Sequence, residues 1–384
     1  MLSRVLPALL AAGLVIPAAA AAARNPMPAV HADDWSQASE DAQAYADPVA
    51  AKLVLYYRLL APGQATAEQV SAFLAANPDW PNQALLERRR QEALAAGPNG
   101  PDAVAQCTAR PLTLPGALAH CATVLAAAGD TQAAASDARE AWTSGLDNPA
   151  VEAGFLAQWG ASLTQSDNWA RFDHFAWNNS AEAARQLPRL TPAQRKAAKA
   201  RLALIANTPD AIQLMQALPA PARNDPGLVL DAARTLRRAH RNVDAFAFWR
   251  SEGFTAEADA EAHRAAFWTE RNILARELLK DGGADEDAYR MADDRQQTGS
   301  ESEADAAFLA GFIALHRLHD PARATAQFQR LADVSKAAIT QARAHYWLGR
   351  ADAAAGRDAR ADYQAAAAYP TTFYGQLAAG ALNE

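Results

Sequence analysis

The chain has 384 residues, 50% hydrophobic, 21% charged and 8% aromatic, with a formal net charge of −7. That length holds two ordinary domains or one long repeat array with a continuous core, and the composition excludes collagen-like, disordered and disulfide-dense classes. The excess of 43 acidic over 36 basic residues argues against nucleic acid as the main partner.

About a quarter of the residues are alanine, the best helix former, and runs of β-branched residues are few, so an all-α fold is expected. The first element in the chain is an address. Met1 to Arg4 form a short basic start, Val5 to Ile16 an apolar run, and Ala18 to Ala23 a small-residue stretch suited to signal peptidase. A cleaved signal peptide over 1–23 is therefore expected, with export of the mature chain 24–384. A membrane anchor fits less well, because a spanning helix needs about 20 apolar residues and Pro7 and Pro17 interrupt this run. No other stretch approaches spanning length, so no membrane span is expected.

Next come the helices. Pro and Gly cut the chain at Pro62-Gly63, Asn77-Pro78, Gly97 to Pro101, Asn148-Pro149, Thr208-Pro209, Pro219 to Pro221, Asp225 to Gly227, Gly282-Gly283 and Asp320-Pro321. Thr66 with Gln69, Thr191 with Gln194 and Ser300 with Glu303 each have capping-box spacing, in which side chain and backbone satisfy each other's N–H groups. Phe308, Phe312 and Leu315, widened by Leu309 and Ile313, form a helical stripe expected to be buried. Cys107 and Cys121 flank a helix end, a Pro-rich turn and a helix start. In an exported chain a lone pair at this spacing reads as a disulfide; two buried free thiols are the alternative.

Four segments share a helix, a turn and a second helix. The turn residues are Gly129, His240, His319 and Gly356, each followed five residues later by Ala134, Ala245, Ala324 or Ala361. Trp142, Trp249, Phe328 and Tyr363 then supply bulk on the second helix. The pattern resembles tetratricopeptide units and implies a solenoid, an α-superhelix of stacked helix pairs. Whether it closes into a ring is left open by the sequence.

Chemistry-bearing motifs are sparse. The sequence carries no phosphate-cradling glycine loop, zinc-spaced Cys/His set or nucleophile elbow, so no cofactor, metal or catalytic residue is assigned. His316 and His319 are three apart, but such residues at a helix C-terminus are ordinary. Basic runs occur at Arg88 to Arg90, at Arg195, Lys196, Lys199 and Arg201, and at Arg237, Arg238 and Arg241. They are usually solvated faces; inside a curved array they could meet an anionic polymer, with Lys196 and Lys199 as contacts.

Toward the C-terminus, Ala342 to Ala351 (ARAHYWLGRA) and Tyr369 to Ala378 (YPTTFYGQLA) resemble the periplasmic soluble lytic transglycosylases. Asn77 to Asn82 and Ala304 to Leu331 are similar to other parts of that family. The resemblance covers nearly all of 24–384 and implies a superhelical domain of enzymes that cleave the glycan of peptidoglycan, leaving 1,6-anhydro ends. The family's catalytic glutamate lies in a Glu-Ser pair followed by Gly-Leu-Met-Gln and Ala-Tyr-Asn. Here Glu301-Ser302 is the only such pair and neither companion follows, so no catalytic residue transfers. The function expected is the non-catalytic superhelical part of such a protein, positioning glycan strands. Peptidoglycan and other cell-wall proteins are the expected partners, and a stand-alone periplasmic adaptor binding proteins in its groove is the alternative. Tyr346, Trp347, Phe373 and Tyr374 are candidates for stacking on sugars, although aromatics at helical spacing usually pack the core.

Overall fold

The computed structural model describes residues 24–45, 47–109, 111–146 and 148–383; the leader expected over 1–23 lies outside them. Every regular element among the described residues is helical. The helices begin where local chemistry starts them. Asp47, Asn148, Asp225 and Asp320 each precede a proline, and each side chain accepts a backbone N–H of the first turn while the proline occupies the position where an N–H is not needed. The capping boxes at Thr66 and Thr191 form as expected, and Thr164 with Asp167 forms another. The box expected at Ser300 does not form: Gly299 is the N-cap and Ser300 is already helical.

The helices end in a common turn. Asp33, Gly129, Asn179, Asn207, His240 and Gly356 all have positive φ between 53° and 91°. Each closes a Schellman pattern, for instance Gly129 N–H to Ala126 O at 3.1 Å with Asp130 N–H to Leu125 O at 2.9 Å. His319 also has positive φ, at 51°. All four turn residues read from the repeat thus share one backbone state. Ala134, Ala245 and Ala324 are fully buried behind them, but Ala361 is exposed, so the repeat pattern breaks in the last pair.

The chain divides into two compact units, one ending at Leu163 and one beginning at Thr164. The first contains α1 (Met27–His31), α2 (Trp35–Ala44), α3 (Pro48–Leu60), α4 (Ala67–Ala76), α5 (Gln83–Ala96), α6 (Pro101–Ala109), α7 (Pro115–Ala127), α8 (Thr131–Thr143) and α9 (Pro149–Trp159). Its main core gathers alanines of α7 and α8 around fully buried Trp142, whose indole stacks on Phe155 at 5.8 Å. Cys107 and Cys121 form a disulfide that ties α6 to α7.

The second unit runs through α10 (Gln165–Trp177), α11 (Glu182–Arg185), α12 (Pro192–Ile205), α13 (Ala211–Gln216), α14 (Ala220–Arg223), α15 (Pro226–Arg238), α16 (Asn242–Phe248), a π-helical turn (Trp249–Gly253), α17 (Phe254–Asp259), α18 (Arg264–Asp281) and α19 (Asp285–Ala292). It continues with α20 (Ser300–His316), α21 (Pro321–Val334), α22 (Ala338–Ala354), α23 (Arg360–Ala367) and α24 (Phe373–Asn383). From α20 onward each helix packs on its neighbour in the chain, and α22 also packs on both α20 and α24. Glycine permits this closeness. A Cβ on Gly311 of α20 would sit 2.5 Å from the Phe328 ring of α21, and one on Gly349 of α22 2.7 Å from the Tyr363 ring of α23.

Candidate functional site

Most arginines of the basic runs are tied to groups of the chain itself, some buried and some at the surface. Arg90 is fully buried and pairs with Glu87, Arg89 donates to the Leu60 carbonyl at 2.7 Å, and Arg88 pairs with Glu92. Arg195 donates to the carbonyls of Leu187, Pro188 and Leu190. Arg201 is fully buried between Asp173 and Asp231, with its guanidinium 4.8 Å from the Trp177 ring. Arg237 grips Glu270 and Glu277, and Arg241 pairs with Asp244. Of the run on α12, Lys196 and Lys199 remain exposed.

A second buried cluster centres on Arg271, whose Nη1 lies 2.8 Å from Glu257 Oε2 and 3.4 Å from Asp294 Oδ1. Its other nitrogens donate to the carbonyls of Met291 and Arg290. Asp294 is fully buried and accepts from Gln296 N and Gln297 Nε2. Two carboxyls thus face one guanidinium. Burial pushes the Glu257 carboxyl up to about 7; Arg271 opposes the rise and Asp294 adds to it.

The aromatic candidates separate. Tyr346 and Trp347 of α22 are 8% and 9% exposed and lie in the core with Phe328, so little of either ring is open to a sugar. Tyr374 is half-buried, its ring 5.6 Å from Tyr346. Phe373 is 68% exposed.

What the sequence reading missed lies beside Trp347. Phe308 and Phe312, expected inside, are only half-buried, and His316 one turn further along α20 is exposed. Their rings form a row against Trp347, with Phe308 at 6.0 Å, Phe312 at 5.6 Å and His316 at 5.4 Å. Two arginines of α22 lie over this row. Arg343 is 4.7 Å from the Phe308 centroid; Arg350 is 5.7 Å from Trp347 and donates to the Tyr346 hydroxyl at 3.1 Å. Each such cation–ring contact stabilises by about 0.5–1 kcal/mol at a surface. Neither guanidinium pairs with a carboxylate of the described residues, unlike Arg88, Arg90, Arg201, Arg237 and Arg241 of the basic runs. Burial, Arg350 and His319 all hold the His316 imidazole below its usual range, which leaves the positive charge of the row to the two arginines.

Chemically, such a face has the groups to bind an anionic ligand. Planar guanidinia take carboxylates bidentately, and half-exposed rings offer flat apolar contact to sugar or side-chain carbon. The signal was present as spacing: Phe308, Phe312 and His316 recur every four residues, and Arg343, Trp347 and Arg350 share one face of α22. Comparison with known proteins adds no relative: no protein-family model matches the chain and no curated protein matches it.

Proposed function

We propose that this chain is an exported helical-repeat module of the soluble lytic transglycosylase type, and that the α20–α22 face holds carboxylate-bearing glycan strands of peptidoglycan. In this reading the helix pairs with left-handed turns are units of a tetratricopeptide-like superhelix, and cleavage to 1,6-anhydro ends belongs to a catalytic domain whose motif these residues do not contain. The observation that carries the proposal is the pair of guanidinia, Arg343 and Arg350, laid over a partly open row of rings with no carboxylate of the described residues to neutralise them. The Cys107–Cys121 disulfide supports an oxidising compartment such as the periplasm.

Co-sedimentation with purified sacculi tests the reading. The wild-type chain is expected to pellet at low salt and to be released as salt rises, since exposed charges are screened. Arg343→Ala with Arg350→Ala should lose most of the pelleted fraction while keeping the helical circular-dichroism signal. A wild-type chain that stays in the supernatant would overturn the proposal and favour the protein-binding adaptor.

A further inference from the structure

The sequence singled out Lys196, and its position opens a question separate from the α20–α22 face. Helices α10, α12 and α14 surround a surface pocket of about 540 Å³. Its walls are apolar: Trp169, Pro192, Leu218, Pro219 and Pro221 line it. The volume falls within the range of about 300–1,000 Å³ typical of small-molecule sites.

The pocket is held in shape before any ligand arrives. Pro192 stands at the first position of α12, fixed by the capping box in which Thr191 N–H donates to Gln194 Oε1 at 3.0 Å. The Gln194 side-chain N–H donates to Gln165 O at 3.2 Å, so this amide is engaged at both ends. Pro219 and Pro221 lock φ on either side of Ala220. The Trp169 ring leans on Phe172 at 5.2 Å, and Phe172 is fully buried.

The polar groups of the lining differ in what they have left to offer. Asp225 is the N-cap of α15 and accepts from Leu228 N at 3.0 Å. Lys196 is exposed and has no carboxylate partner among the described residues. Lys196 is the one cation of the lining and Asp225, its one carboxyl, is engaged by a backbone N–H, so the free ammonium on this Trp- and Pro-walled cavity suits a ligand with one negative charge and a flat apolar body.

We propose that this pocket binds a small amphipathic carboxylate, its apolar ring against Trp169 and the prolines and its carboxylate on Lys196. The test is calorimetric titration of the full chain with 4-phenylbutyrate and with its uncharged amide. Wild type should bind the carboxylate saturably, and the amide about three- to fivefold more weakly, the factor expected of one exposed ion pair. Lys196→Gln should bring the carboxylate to the level of the amide and leave the amide unchanged. Lys199→Gln, exposed on the same helix but outside the pocket lining, should change neither. Ala217→Trp, at an exposed lining position, should fill the cavity and abolish both. Absence of saturable binding, or equal effects of Lys196→Gln and Lys199→Gln, would overturn the proposal. Binding that survives Arg343→Ala with Arg350→Ala separates this site from the glycan-binding reading.

Discussion

Replacing Glu257 by glutamine should change how the second unit responds to pH. Glu257 is 1% exposed and shares Arg271 with Asp294, so a proton on one of the two carboxyls relieves a buried like-charge contact. In the folded chain the Glu257 carboxyl is pushed up to about 7 from its ordinary 4.5. The native state therefore holds more protons than the unfolded chain between those values. Its raised pKa stabilises the fold fully below pH 4.5, and that stability is lost as pH rises through 7. At 1.36 kcal/mol per pH unit, the whole interval is worth about 3 kcal/mol. Native-state hydrogen exchange by mass spectrometry reads this locally, over peptides spanning Phe254–Asp259 and the link from α19 to α20. Local readout is preferable because a chain of two compact units need not unfold in one step. After correction for intrinsic exchange, the opening free energy of these peptides should fall by about 2–3 kcal/mol from pH 5 to pH 8 in wild type. Glu257→Gln keeps the shape and a donor toward Asp294 but removes the titration, so its profile should be nearly flat. Parallel profiles for the two proteins would refute the reasoning.

Other perturbations test the packing. Gly311→Ala places a Cβ 2.5 Å from the fully buried Phe328 ring; overpacking of about 1–3 kcal/mol should outweigh a helix-propensity gain of about 1 kcal/mol and lower the melting temperature. Gly154→Ala in α9 meets nothing within 4 Å, so the same substitution there should raise the melting temperature. Removing the disulfide by Cys107→Ala with Cys121→Ala should lose about 3 kcal/mol from the first unit, and reduction of the wild type should reproduce the loss of thermal stability. Arg201→Met removes one of the two guanidinia on the buried Asp231, Arg234 remaining at 3.1 Å, and should destabilise by about 1–3 kcal/mol, seen as a lowered thermal transition with the disulfide intact.

Helix existence and helix starts were legible because they depend on a few adjacent residues. Asn148-Pro149 and Asp320-Pro321 were visible as breaks, and each is a cap followed by a first-turn proline. The left-handed turns were legible at Gly129 and His240, where the repeat pointed to them. They went unnoticed at Asn179 and Asn207, which adopt the same state because asparagine tolerates positive φ. Ser300 misled: Gly299 can take the N-cap, and the helix simply starts one residue earlier than the box requires. The Cys107–Cys121 pairing was readable from spacing and the expected export, whereas the depth of Phe308 and Phe312 was not. Periodicity reports which residues share a face of a helix, not whether another helix covers that face along its whole length.

The same gap bears on the basic runs, whose spacing does not show which of their arginines the fold buries. Alanine-rich helices approach closely, yet their small side chains leave volume that must be filled from a distance, and close packing tolerates few voids. Among the largest fully buried side chains are Trp142 and Trp249, but also Arg90, Arg171 and Arg201. A long stem with a planar, many-donor head can cross such a gap and satisfy carbonyls and carboxylates on the far side, as Arg201 does with Asp173 and Asp231. Arginine is thus a core residue in this composition, and a basic run is poor evidence for an anionic partner. The informative arginines are those that the fold leaves without a carboxylate. By that criterion Arg343 and Arg350, isolated in the sequence and laid over open rings, carry more weight for binding than Arg90, Arg201 or Arg237, which the fold pairs with carboxylates.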